Sequence, residues 1–292
     1  MARELYRETR PPAGRLYDRP MDARPIGVFD SGTGGLTVLH ECLVTMPHED
    51  FVYLGDHARL PYGPRELDEV RGFAVEIGRY LERQDVKLVL VACNTATSAG
   101  LPQLQEALSV PVVGVIQPEA HAAVQATRNR KIGLLATKAT VEAGRYAEFV
   151  AALDAGAGFT ALACPRLVPL IEGEDPFGTE TTAAVREYAA PLKELGVDTV
   201  ILGCTHYPLI RPVFQRVFGR GVTLVFSAEE TAREVAGTLA RKGIENDEAR
   251  EGSYRFLTTG DPEAFRALGQ RFLQLPIAGV EHVELAKLRR AA

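Results

Sequence analysis

The chain has 292 residues, 46% of them hydrophobic, and a formal net charge of −5. That length allows about two domains with proper cores. The acidic balance gives no footprint for nucleic acid, and no run approaches the roughly 20 apolar residues of a membrane helix.

Residues 1–24 carry six arginines with Pro11, Pro12 and Pro20 and little apolar surface, which predicts a mobile extension. Met21 stands as a possible true start just ahead of the first strand. No apolar core of a signal peptide is present, so cytoplasmic, reduced thiols are expected. The four cysteines, Cys42, Cys93, Cys164 and Cys204, show no CxxC spacing and suggest no metal site.

Pro25 to Asp30 reads as the first strand and runs into Ser31-Gly-Thr-Gly-Gly35, with a helix from near Leu36. Glycines at such a turn let backbone N–H groups approach an anion. Thr37 stands where a dinucleotide fingerprint needs its third glycine, and no lysine follows as in a P-loop. A carboxylate is therefore the more natural guest. Asp30 reads equally well as a helix cap or as a functional acid. Phe51 to Gly55 is the next strand, followed by a structured loop, Asp56 to Pro64. Leu67, Val70, Phe73, Ile77 and Leu81 mark one apolar helix face.

Leu88-Val-Leu-Val-Ala-Cys-Asn-Thr95 and Thr199-Val-Ile-Leu-Gly-Cys-Thr-His206 share one pattern. Each is an uncharged apolar run, then a small residue, a cysteine and two polar side chains. Continuous apolar runs fit strands buried on both faces of a parallel sheet, and ligands bind beyond the carboxyl ends of such strands. Val110 to Val115, Lys131 to Ala136, Phe159 to Cys164, Val222 to Phe226 and Tyr254 to Gly260 read as further strands, with a helix through Ala183 to Leu195. The order and spacing from Asp30 to Cys93 is repeated from Thr137 to Cys204, which predicts two related α/β halves. The domains expected are 25–116 plus 226–292, and an inserted 117–225.

An unperturbed thiol is only about 3% thiolate at pH 7, and a helix N-terminus favours the thiolate. Cys93 and Cys204 are both expected at such positions. A thiolate is a nucleophile and a base, and the residues leave both roles open. Cys42 and Cys164 read as small buried hydrophobes. His206, beside a strand-end thiol, reads as a catalytic helper.

The segments Ile26 to Val38, Tyr53-Leu-Gly-Asp56, Pro61-Tyr-Gly-Pro64, Ala92 to Thr97 and Gly203 to Leu209 together resemble glutamate racemase, in the family's order from about residue 25 to 285. His57 stands where the family often has a small polar residue. The resemblance implies a cofactor-independent enzyme, with no metal, that uses two cysteines on opposite faces of the substrate Cα. By motif these are Cys93, acting on D-glutamate, and Cys204, acting on L-glutamate. It further implies Asp30, His206 and Glu172 as helpers. Substrate contacts would be Asp30, Ser31, Tyr62, Gly63, Asn94, Thr95, Thr137, Thr140, Thr205 and His206. The fold expected is two pseudo-symmetric, flavodoxin-like α/β domains with mainly parallel sheets and the active site in the cleft between them. A homodimer and D-glutamate supply for peptidoglycan are the family's implications too. The competing readings are a racemase of aspartate or a hydantoin, a two-domain small-ligand binding protein, and a thiol redox protein.

Overall fold

The computed structural model describes residues 22–246 and 250–290. The expectations of a mobile extension and of a start at Met21 fall on residues 1–21, outside the described residues.

In chain order the elements are β1 (Ile26–Asp30), α1 (Leu36–Thr45), β2 (Phe51–Gly55), α2 (Leu67–Glu82), β3 (Leu88–Val91), α3 (Asn94–Ala107), β4 (Val112–Gly114) and α4 (Ile116–Ala126). They continue with β5 (Lys131–Ala136), α5 (Lys138–Glu142), α6 (Arg145–Leu153), β6 (Gly158–Ala163), α7 (Leu167–Glu172), α8 (Thr179–Glu194), β7 (Thr199–Gly203), α9 (Arg211–Phe218) and β8 (Thr223–Val225). The last are α10 (Ser227–Lys242), β9 (Tyr254–Thr258), α11 (Pro262–Leu273), β10 (Glu281–His282) and α12 (Leu285–Arg289). Two 3₁₀ turns, His57–Arg59 and Tyr207–Ile210, follow β2 and β7.

The strands form two sheets, ordered β10-β9-β2-β1-β3-β4 and β6-β5-β7-β8. Every described pairing in them is parallel. The order β2-β1-β3-β4 in the first repeats as β6-β5-β7-β8 in the second, the doubly wound order expected of flavodoxin-like halves. Strands β1, β2, β3 and β7 are buried along their whole length because helices cover both faces, so their sequences need no polar alternation. Although they follow the second sheet in the chain, β9 and β10 return to the first, β9 pairing with β2 and β10 with β9.

The register brings the strand ends level. Asp30 lies opposite Gly55, Phe29 opposite Val91, and Ala136 opposite both Ala163 and Gly203. The residues that follow, including Ser31, Cys93, Thr137 and Cys204, therefore emerge at one edge of each sheet.

Some expectations shift. β6 ends at Ala163 and is half-buried, leaving Cys164 beyond the strand. α8 begins at Thr179, ahead of Ala183. On α2 the buried stripe is Val70, Ala74, Ile77, Gly78 and Leu81, with Phe73 only half-buried. The Phe73 ring instead carries the Arg59 guanidinium, 4.0 Å from its centroid. β10 and α12 gave no sequence signal, since both strand residues are exposed and polar. Among the described residues no helix is long and apolar enough to cross a membrane.

Candidate active site

β3 delivers the chain to Cys93, which caps α3. Its Sγ accepts the Ala96 N–H at 3.5 Å and donates to Ser31 Oγ at 3.9 Å. The helix terminus favours the thiolate, as the sequence implies, but two effects outweigh it. Burial pushes the thiol well above its ordinary range, and the neighbouring Asp30 adds to the rise. Both effects favour the protonated thiol, the form that donates.

Cys204 follows β7 but does not cap an α-helix. Two turn residues and the 3₁₀ turn Tyr207–Ile210 come next, with Pro208 in its first positions. Its electrostatic partner is a side chain instead. Cys204 Sγ lies 3.8 Å from His206 Nδ1, and His206 Nε2 lies 2.8 Å from Glu172 Oε1. Burial works to lower the His206 pKa, yet the bonds to Cys204 and Glu172 prevail and push it up to about 10. Glu172 moves the other way: burial raises its carboxyl, and the bond to His206 together with the charges of His206, His57 and Arg271 brings it below its ordinary value. A cationic imidazole beside a sulfur is the setting in which a thiolate persists.

This raised pKa has a consequence for stability. His206 gains a proton affinity on folding, from an unfolded value near 6.5 to about 10. Its contribution is complete below the unfolded value and is lost as pH rises through the folded one. Denaturant unfolding between about pH 6.5 and 10 should show stability declining, and His206→Asn should flatten that decline.

Asp30 is fully buried at the end of β1, and its Oδ2 accepts the N–H groups of Gly32 and Gly35 at 3.1 and 3.0 Å. Its Oδ1 meets no partner among the described residues. The side chain thus organises the Ser31–Gly35 turn and lies behind Cys93, while α1 follows Gly35 without a side-chain cap. Gly34 carries the turn against the opposite sheet: a Cβ there would lie 2.6 Å from Thr205 Oγ1 and collide with the His206 ring. Thr37 Oγ1 donates to the Thr205 carbonyl at 3.1 Å across the same seam.

The cleft, about 470 Å³, is walled from one side by Ser31, Tyr62, Gly63, Cys93, Asn94 and Thr95. From the other come Thr137, Glu172, Cys204, Thr205 and His206. Of the anticipated residues, Asp30 and Thr140 stand behind this wall. Thr140 closes a hydroxyl triangle with Thr95 and Thr137, at 3.3, 2.9 and 3.0 Å, that joins α3 to α5. The Tyr62 hydroxyl is committed to Asp56, which also holds Arg59 Nε at 2.6 Å and Thr259 Oγ1 at 2.7 Å. Tyr62 and Gly63 can therefore serve a ligand through their backbone. Hydroxyls, an amide and backbone N–H groups in this arrangement suit two carboxylates and an ammonium.

Three ionisable residues on the wall were not expected there. Cys164, read as a buried hydrophobe, lines the cleft because β6 stops one residue short of it; burial holds its thiol up at about 12. Lys138 follows Thr137 into the opening. His57 also lines the cleft, packed edge-on against Phe265 at 5.5 Å.

Two parallel α/β sheets bring their strand ends to a shared cleft, the first with Cys93 and the second with Cys164 and Cys204, an arrangement that suits an enzyme handling a small substrate from two faces. Residues 37–235 match the family model described as Asp/Glu/Hydantoin racemase. A glutamate racemase of Listeria monocytogenes is 44% identical over 262 residues, covering 90% of this chain and 98% of the relative. The crystal structure of glutamate racemase isoform RacE1 from Bacillus anthracis superposes with a TM-score of 0.87 at 41% identity, over 90% of this chain and 98% of that one. A glutamate racemase from Francisella tularensis, solved in complex with D-glutamate, gives 0.84 at 31% identity, over 91% and 99%. The chain belongs to the Asp/Glu/Hydantoin racemase family, and it is an isomerase.

Proposed function

We propose that this protein interconverts L- and D-glutamate without a cofactor, by two thiols acting on opposite faces of the substrate Cα. The observation that carries the reading is that Cys93 and Cys204, from the two sheets, line one cleft, Cys93 beside Ser31 and Cys204 beside His206. Similarity to the Listeria and Bacillus glutamate racemases and to the D-glutamate complex from Francisella supports glutamate as the substrate.

Cys204, beside the His206–Glu172 pair, acts as the thiolate that removes the α-proton of L-glutamate. Cys93, whose thiol form burial and Asp30 favour, delivers a proton to the opposite face. In the reverse direction the roles exchange, so Cys93 takes the α-proton of D-glutamate. An α-proton of an amino acid is very weakly acidic, so the charge that develops must be met by preorganised donors in a closed site. Ser31, the Tyr62–Gly63 backbone, Asn94, Thr95, Thr137 and Thr205 are the groups assigned to the substrate, with Thr140 behind them bonded to Thr95 and Thr137.

The same reading places the enzyme in the cytoplasm as a homodimer that supplies D-glutamate for peptidoglycan. Its two units are 25–116 plus 226–292, and 117–225. Light scattering of the purified protein tests the dimer. Circular dichroism of L-glutamate and of D-glutamate, incubated separately without cofactor, tests the reaction. Both signals should decay to zero, while both aspartate enantiomers keep theirs. Decay with aspartate alone would move the substrate, and no decay with any of them would sink the reading.

A further inference from the structure

Glu119 lies on α4, the helix that carries the chain from the first sheet to the second, and it is fully buried. Its described partners are neutral. Asn94 Nδ2 donates to Oε2 at 2.9 Å, and the Tyr146 hydroxyl donates to the same oxygen. Asn94 Nδ2 also donates to the Tyr146 hydroxyl, at 2.7 Å. Oε1 has no partner among the described residues. A buried acid with one oxygen unserved is costly to the fold, so core stability alone is a poor reason for it.

Its position supplies a better one. Asn94 directly follows Cys93 and opens α3. Tyr146, on α6, packs on the other half: a Cβ on Gly203, the residue before Cys204, would lie 3.2 Å from the Tyr146 oxygen. Glu119 thus joins the turn that carries one thiol to the strand end that carries the other.

We propose that Glu119 is a positioning residue which, through Asn94 and Tyr146, sets the gap between Cys93 and Cys204. The proposal rests on the two-thiol reading above and deepens it. The substrate Cα must sit between the sulfurs, and a misplacement of about 1 Å can lower rate by 10²-fold. Burial drives the Glu119 carboxyl well above its ordinary range, against the pull of its bonds to Tyr146 and Asn94. What the side chain contributes is its shape and the acceptor oxygen that Asn94 and Tyr146 share, and a glutamine reproduces both.

The test compares wild type, Glu119→Ala, Glu119→Gln and Tyr146→Phe on both glutamate enantiomers, with kcat, KM and the isotope effect of α-deuterated substrate. In Glu119→Ala and Tyr146→Phe, kcat should fall at least about tenfold while KM stays within about threefold. The deuterium isotope effect on kcat should rise, because proton transfer is slowed and binding is not. Glu119→Gln should recover most of the rate. Glu119→Ala and Asn94→Ala together should cost clearly less than the sum of the two single losses, since they share one contact. A Glu119→Ala rate within twofold of wild type, a loss confined to KM, or additive double variants would overturn the proposal. Should Glu119→Ala fail to fold, Tyr146→Phe, which removes one oxygen from an intact core, decides by the same criteria. A wild type that racemises nothing would strike the two-thiol reading instead.

Discussion

Cys93→Ser and Cys204→Ser should each lower racemisation by at least about 10³-fold, in both directions. Each direction needs one sulfur as base and the other as acid, so removing either breaks both. A serine hydroxyl is a far weaker acid than a thiol, and it fills nearly the same volume at sites that are 4% and 6% exposed. Loss of activity would then come without loss of fold. The two variants should also differ from each other. Cys93→Ser keeps Cys204 with its His206–Glu172 support and should still exchange the α-proton of L-glutamate with solvent deuterium, without inverting it. Cys204→Ser should exchange only that of D-glutamate. Proton NMR of the α-position in deuterium oxide reads both. Near-native turnover by either variant, or exchange of both enantiomers by one, would contradict the assignment.

Much of this arrangement is written locally in the sequence. The runs Leu88–Val91 and Thr199–Gly203 are strands with no ambiguity of face, because burial on both sides demands apolar residues throughout. Their cysteines land at the sheet edge as a matter of register. The similar spacing in the two halves likewise foreshadows the shared strand order. Effects that depend on long-range packing were less legible. The helix terminus at Cys93 suggests an acidic thiol, but the surrounding core and Asp30 reverse the balance, and neither strength can be read from a local motif. Cys164 looked like filler because its place on the cleft wall depends on where an edge strand stops. Glu119 is one acid in a short amphipathic helix, and its partners lie 25 and 27 positions away on two other helices. No spacing rule finds such a group. The residues that touch the cleft were therefore more legible than those that hold them in place.

Glu172→Gln should lower kcat/KM by about 10²-fold and move the alkaline limit of activity to lower pH. Glutamine keeps an oxygen for His206 Nε2–H, so the ring can hold its orientation, but the charge that favours imidazolium is gone. With that charge removed, burial has a larger say and the His206 pKa falls from about 10 toward the neutral range. The ring then loses its proton at a lower pH, and the Cys204 sulfur loses the cation beside it. Although Glu172 serves only the Cys204 side, the loss in kcat/KM must be equal for the two enantiomers. They have the same free energy in achiral solvent, so the ratio of their kcat/KM values is fixed at one for any variant. The asymmetry can show only in the separate values of kcat and KM, with kcat falling more for L-glutamate, whose proton Cys204 removes. pH–rate profiles on both enantiomers give all of these quantities. An alkaline limb at an unchanged pH would make Glu172 a bystander that happens to lie 2.8 Å from the ring. A shifted limb with kcat falling mainly for D-glutamate would exchange the roles of the two sulfurs.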